Sequence, residues 1–277
     1  MELLKGKAVA LSIEKDCLNE IAKLKSYNNK IPFIRVLQFK HDPSSLVYVK
    51  SIEKNCNKFG IKFEHLIFED IKLFLDCLFE SNNNKEVSSI MIQQPVPKEI
   101  AQHIDSIPFF KDVEGITSNS LGRLFNGLPC LIPCTAQAVI EIFEFYHIDT
   151  IGKRVTIIGR SNIVGKPLII LLLQKNATVT ICHSKTNDLE QELKNSDIVI
   201  VAIGKPNFIT GDKFNPNSIV IDIGTSFVDN KLIGDVYFET IENKIAKITP
   251  VPGGVGVVTN ALLIRNIIRS FNFQNIV

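Results

Sequence analysis

The sequence predicts an α/β protein of two domains, each built around a parallel sheet. Three observations carry this expectation. Apolar runs of strand length alternate with helical patterns in two separate series, a Pro- and Gly-punctuated stretch from Gly115 to Pro133 divides the series, and 277 residues are ample for two buried cores.

In the first series Val9, Leu11, Ile13, Leu18, Ile21 and Leu24 fit a helix between Lys7 and Ser26, and "IPFIRVLQF" (Ile31 to Phe39) reads as a strand. A helix from Ser44 to Phe59, a strand at "IKFEHLIF" (Ile61 to Phe68), a helix at "DIKLFLDCLFE" (Asp70 to Glu80) and a strand at "SSIMIQQP" (Ser88 to Pro95) follow. The second series opens with the helix "TAQAVIEIFEFY" (Thr135 to Tyr146). Strands come at "RVTIIG" (Arg154 to Gly159), "ATVTIC" (Ala177 to Cys182), "DIVIVAIG" (Asp197 to Gly204) and "SIVIDIG" (Ser218 to Gly224). Their apolar content predicts strands covered on both faces. The chain closes with "ITPVPGGVGVVTNALLIRNIIRSF", a Pro/Gly loop feeding a last helix.

Basic and acidic residues nearly balance, 31 against 29, and no run of Lys or Arg is dense enough for a nucleic-acid surface, so a small-molecule ligand is expected. The six cysteines, Cys17, Cys56, Cys77, Cys130, Cys134 and Cys182, form no C-x-x-C. This argues against a metal site or disulfide framework and for buried thiols in a reducing compartment. The first twenty residues carry scattered charges and lack a signal-peptide core or membrane span, which predicts a cytoplasmic protein without membrane contact.

"IIGRSNIVGKPL" (Ile157 to Leu168) reads as a strand end, a Gly-bounded turn and a helix start. Such a turn aims backbone N–H groups and the positive end of a helix dipole at a phosphate. The dinucleotide pattern G-x-G-x-x-G has lost its middle glycine here, and Arg160 and Ser161 stand between Gly159 and Gly165. About 20 residues on, where an acid would bond an unphosphorylated ribose, the chain has His183, Ser184 and Lys185 and no acid until Asp188. A carboxylate would repel a 2′-phosphate, whereas Arg160, Ser184 and Lys185 are suited to bond one, so the predicted cofactor is NADP.

The stretches "GRSNIVGKP", "CHSKT", "VAIGKPNFITGD", "IVIDIG", "GDVYFE" and "ITPVPGGVG", with "DPSSLVYV", "IMIQQPVP", "KDVEG", "LGRL" and "PCT" before them, resemble the methylenetetrahydrofolate dehydrogenase/cyclohydrolase family in order and spacing over nearly the whole chain. The resemblance implies a substrate domain (residues 1–121 plus 261–277) and a Rossmann-like NADP-binding domain (122–260), with the last helix returning to the first domain and folate in the cleft between them. It further implies a homodimer in one-carbon metabolism, supplying purine biosynthesis, that oxidises 5,10-methylenetetrahydrofolate with NADP and hydrolyses the 5,10-methenyl product to 10-formyltetrahydrofolate. By the same resemblance Gly159, Arg160 and Ser161 line the cofactor, Ser184 lies near its 2′-phosphate and Thr225 near the nicotinamide. Tyr48 packs on the aminobenzoyl ring, Gln93 is the active-site glutamine, Glu114 stands where an aspartate bonds the pterin, and Pro252, Gly253 and Gly254 border the folate. Taken singly, Tyr48 also reads as a core aromatic, Gln93 as a residue bonding a neighbouring loop, and Gly253 and Gly254 as a plain loop before a helix.

Several positions depart from the family pattern. Its catalytic lysine, four residues after the tyrosine, is Ile52; a glycine upstream is Lys40; a Pro and a Met of the folate wall are Val257 and Val258; and Gly-Ile-Asn is Gly224, Thr225 and Ser226. Hydride transfer needs no protein proton carrier, because N5 and N10 of the folate spread the developing positive charge and the protein supplies orientation. Hydrolysis does need one, and a general acid or base contributes about 100- to 10,000-fold. Lys50 and Lys54, two residues either side of Ile52, face the opposite side of a helix; Lys40 would approach from its loop. The sequence therefore predicts a dehydrogenase with doubtful cyclohydrolase activity. It leaves open a bifunctional enzyme with a relocated carrier and a non-catalytic nucleotide- or folate-binding paralogue.

Overall fold

The computed structural model describes residues 1–28, 30–229, 231–241 and 244–275 of the chain. Two compact units divide it, one formed by Met1–Leu11 with Pro133–Thr259, the other by Ser12–Ile132 with Asn260–Val277.

The second of these units follows the first β-α-β series. After helix α1 (Gly6–Asn28), whose start belongs to the other unit, come β2 (Phe33–Phe39), α2 (Pro43–Phe59), β3 (Lys62–Phe68), α3 (Ile71–Asn83) and β4 (Ser89–Gln93). The strands pair in parallel in the order β3-β2-β4, with Ile34 opposite Phe63 and Ser89. Because side chains alternate along β2, Phe33 and Leu37 share one face, where they join Phe74 and Leu78 of α3 and Ile90 and Ile92 of β4 in a core cluster. Helix α3 starts where Asp70 accepts the Leu73 N–H at 2.9 Å, an N-cap that satisfies a donor the helix cannot. The short helices α4 (Lys98–Ala101) and α5 (Ser118–Phe125) follow, neither of them expected from periodicity.

The other unit carries a six-stranded sheet. Its elements are β1 (Glu2–Leu3), α6 (Cys134–Phe145), β5 (Arg154–Ile158), α7 (Gly165–Gln174), β6 (Thr178–Cys182), α8 (Leu189–Lys194), β7 (Ile198–Val201), β8 (Ile219–Asp222), the hairpin β9 (Ser226–Val228) and β10 (Lys231–Ile233), and β11 (Lys247–Ile248). The parallel order β1-β11-β8-β7-β5-β6 places β6 at an edge, and there the expectation of cover on both faces fails. Thr178 and Thr180 are exposed, whereas all four residues of β7, in the middle of the sheet, are buried. Strand β1 pairs with β11, so the first residues belong to this sheet rather than to the folate half, where the sequence reading puts them.

The last helix, α9 (Val255–Asn275), crosses the boundary between the units, and residues from Asn260 onward belong to the unit of β2. There the Asn266 Nδ2 donates to the carbonyls of Val113 and Ile132, each at 2.9 Å, and Ser270 Oγ to that of Phe110 at 2.6 Å.

Candidate active site

In the unit of β2, a pocket of about 440 Å³ opens at the C-terminal ends of β2 and β4, bordered by Gln38, Lys40, Asp42, Ser45, Gln93 and Pro95 among others. Its size suits a small ligand, and the carboxyl ends of parallel strands are where such ligands bind. Lys40 has a φ of 60°, a left-handed conformation that glycine adopts freely and that costs a lysine free energy. Two bonds hold the loop in that shape: the Lys40 N–H donates to the Phe68 carbonyl at 2.8 Å, and Gln38 Nε2 donates to the Lys40 carbonyl at 3.0 Å. Gln38 Oε1 in turn meets His65 Nε2 at 2.9 Å.

Helix α2 begins beside this loop. Asp42 precedes Pro43, which suits the first helical position because it needs no N–H partner there. The Asp42 Oδ2 accepts both the backbone N–H of Ser45 at 2.9 Å and its hydroxyl at 2.6 Å. Gln93 Nε2 donates to Ser45 Oγ at 3.4 Å and to the Gln94 carbonyl at 3.1 Å. A carbonyl only accepts, so these contacts fix which way the amide points. Gln93 Oε1 is then left buried without a partner among the described residues.

The structure thus brings Gln93 together with Lys40, Asp42 and Ser45. Asp42 and Ser45 were not singled out from the sequence, although an Asp followed by Pro at a helix start is a legible N-cap signal for Asp42 alone. Tyr48 stands on α2 one turn beyond Ser45 and is 37 % exposed. Ile52 is a core residue, 3 % exposed, in a stripe with Val49, Cys56 and Phe59, while Lys50 and Lys54 face solvent. Neither Tyr48, Ile52 nor Glu114 borders the pocket. Glu114 follows a segment tied to β4 by the Ile90–Asp112 bridge. Burial, with a smaller contribution from the Asp112 carboxylate, pushes its carboxyl up to about 8. This shift favours the neutral carboxyl near pH 7.

In the other unit, the chain leaves β5 for β6 on one side and returns to β7 on the other, so the turn at Gly159 lies at the switch point of the sheet. Gly159 has a φ of 121°, and a Cβ there would come within 2.2 Å of the Ala202 carbonyl oxygen. A Cβ on Gly165 would lie 2.1 Å from the Gly159 carbonyl oxygen, so this glycine lets α7 pack close to the turn. Arg160, Ser161, Ser184 and Thr225 are all exposed, and Ser161 Oγ accepts the Val164 N–H at 3.2 Å. This exposed donor set in a turn bounded by two glycines fits a phosphorylated dinucleotide. Pro252, Gly253 and Gly254 belong to this same unit, and the Gly6 N–H donates to the Gly253 carbonyl at 2.8 Å.

Two buried aspartates brace the strand ends nearby. Asp235, fully buried, accepts the N–H groups of Ile203 and Gly204 on Oδ2 at 2.7 and 3.0 Å and that of Lys205 on Oδ1 at 2.6 Å. Asp222 accepts the N–H groups of Asp235 and Val236 at 3.1 and 2.9 Å. Burial pushes the Asp222 carboxyl up to about 7 against the pull of these N–H groups. Gly224 and Gly234 make room for the pair, since a Cβ on either would lie within 2.1 Å of the facing carboxylate. "IVIDIG" and "GDVYFE" contain both acids, but their pairing is a tertiary contact with no local pattern.

Residues 4–114 match the catalytic domain, and residues 133–275 the NAD(P)-binding domain, of tetrahydrofolate dehydrogenase/cyclohydrolase. The bifunctional protein FolD of Dictyoglomus turgidum is 42 % identical over 273 residues, 97 % of each chain, and that of Campylobacter hominis 41 % identical over 276 residues, 98 % of this chain and 97 % of the other. Among solved structures, bifunctional FolD from Campylobacter jejuni matches with a TM-score of 0.94 at 36 % identity, covering 99 % of each chain. The Trypanosoma brucei enzyme, complexed with NADP cofactor and inhibitor, matches with a TM-score of 0.91 at 31 % identity, covering 99 % of this chain and 98 % of its own.

Proposed function

Since the chain belongs to the tetrahydrofolate dehydrogenase/cyclohydrolase family, we propose that it oxidises 5,10-methylenetetrahydrofolate to the 5,10-methenyl form with NADP, and that hydrolysis of this product is its slower step. The observation that carries the reading is the switch-point turn, where Arg160 and Ser161 are exposed beside Gly159 and no acid stands at the end of β6. Bound NADP supplies the hydride acceptor. The Gly159 turn leaves backbone space for its pyrophosphate, Arg160 and Ser184 bond the 2′-phosphate, and Thr225 lies toward the nicotinamide. On the folate side Tyr48, Gln93 and Glu114 orient the substrate, with Pro252, Gly253 and Gly254 bordering it. The substrate half takes residues 1–121, apart from β1, which pairs in the other sheet, together with 261–277, and the cofactor half takes residues 122–260.

Slow hydrolysis follows from Ile52, whose buried apolar side chain neither gives nor takes a proton. The protein acts in the cytoplasm as a homodimer in one-carbon metabolism, its product serving purine biosynthesis, with no nucleic-acid or membrane partner. The test is to mix the protein with 5,10-methylenetetrahydrofolate and NADP and follow methenyltetrahydrofolate by its absorbance. The compound should form and accumulate; failure to form with either NADP or NAD would refute the reading.

A further inference from the structure

We propose that Asp42 and Ser45, with Gln93 beside them, form the proton carrier for hydrolysis of methenyltetrahydrofolate; this rests on the folate reading above. Asp42 Oδ2 holds the Ser45 hydroxyl at 2.6 Å, the length of a charge-assisted O–H···O⁻ bond. With its proton committed to the carboxylate, Ser45 Oγ turns its lone pairs to other donors. One is engaged by Gln93 Nε2 at 3.4 Å, and the other serves an occupant of the pocket that Ser45 borders. Gln93 Oε1, on the same side chain, is buried and unpartnered among the described residues. A water that donates one O–H to Ser45 Oγ keeps a lone pair for the substrate carbon.

The capping of α2 does not account for this arrangement. The Asp42 carboxylate already caps the helix through the Ser45 backbone N–H at 2.9 Å, and the hydroxyl bond adds nothing the helix needs. Lysines 50 and 54 face solvent and position 52 is apolar, so α2 offers no amine on this side.

The reaction balances without any further reagent. A water lone pair forms the C–O bond at the methenyl carbon, and the C=N π pair returns to nitrogen. The water proton passes to Ser45 Oγ as the Ser45 proton passes to Asp42 Oδ2, giving a neutral carbinolamine and a protonated Asp42. In the second step the C–N5 bond breaks. Its electron pair stays on N5, which takes the stored proton back through Ser45, while the carbinol O–H proton leaves to solvent and C=O forms. Asp42 is again a carboxylate, and the net release is one proton per turnover.

The test measures hydrolysis of supplied methenyltetrahydrofolate and NADP-linked oxidation side by side in the full-length protein and in Asp42→Asn and Ser45→Ala. Asparagine caps a helix as well as aspartate, and alanine at position 45 keeps the capped N–H, so both variants retain the helix start. In each, the ratio of hydrolysis to oxidation should fall about 100-fold, as loss of a general base predicts, with the fall in kcat rather than KM. Wild-type ratios in both variants, or loss on Lys40→Ala while Asp42→Asn keeps its rate, would overturn the proposal. So would a wild type that forms methenyltetrahydrofolate yet hydrolyses it no faster than buffer. A wild type that neither forms nor hydrolyses the compound overturns the folate reading itself and the proposal with it.

Discussion

Replacing Asp235 by Asn changes one atom and leaves the shape of the side chain almost unaltered. The aspartate holds three consecutive N–H groups, those of Ile203, Gly204 and Lys205, at 2.6 to 3.0 Å in a fully buried position. Asn has one acceptor oxygen. If that oxygen takes the two N–H groups now on Oδ2, the amide NH₂ faces the Lys205 N–H and leaves it unsatisfied. Hydrogen bonds to a charged group contribute about 1.5–3 kcal/mol against 0.5–1.5 for neutral ones, and a stranded buried donor costs about 1–3 kcal/mol. Two weakened bonds and one lost give about 3 kcal/mol, after allowing for the relief of burying a neutral group. For a chain of this length that is a fall in Tm of about 6–12 °C. Thermal unfolding followed by circular dichroism reads the shift, and the KM for NADP should rise with it because the 203–205 loop leaves the end of β7 next to the Gly159 turn. A melting curve and an NADP KM both equal to the wild type would refute the bracing role.

Three further outcomes follow from the same geometry. Arg160→Ala should weaken NADP while leaving NAD nearly unchanged in steady-state assays, because only NADP carries the 2′-phosphate; equal losses would show that the guanidinium does not read it. The carboxyl of Glu114 is pushed up to about 8, so the folate KM should fall as pH rises through that value and the ionised group gains strength as an acceptor; Glu114→Gln should flatten the profile, and an unchanged slope would mean that Glu114 does not touch the pterin. Asp222 holds a proton up to about pH 7 in the folded protein that the unfolded chain releases near the ordinary aspartate range, so its contribution to stability declines between those values; urea unfolding of Asp222→Asn should lack this decline, and an identical pH dependence would contradict it.

The longer strands of the two parallel sheets were legible because they are short, largely apolar runs bounded by turn residues, and the central ones, such as Ile198–Val201, lie within the runs read from sequence. Strands β1 and β11 were not, since two residues have no periodicity and form only by pairing with each other and with β8. The β9–β10 hairpin was not legible either, since three-residue strands fall below any periodic pattern, although Asp229 after β9 takes a φ of 47°.

At the site, Gly159 and Gly165 were readable because a turn requires them. Lys40 in a glycine conformation shows the limit of that reasoning, since the loop holds its left-handed φ through bonds from Gln38 and to Phe68 that no local rule reveals. Ile52 was read as a missing catalytic amine, and the structure adds that it lies in the core of α2. Its burial contributes about 1.5–3 kcal/mol, so Ile52→Lys exchanges that for a charge in an apolar site and should destabilise the protein even where it speeds hydrolysis.

The hydride itself is the most direct probe of the account. With 5,10-methylenetetrahydrofolate deuterated on its methylene carbon and NADP as acceptor, mass spectrometry of the reduced cofactor should find deuterium on the nicotinamide, formed in step with methenyltetrahydrofolate. Reduced cofactor without the label, or none at all, would contradict the assignment of this chain as an NADP-dependent methylenetetrahydrofolate dehydrogenase.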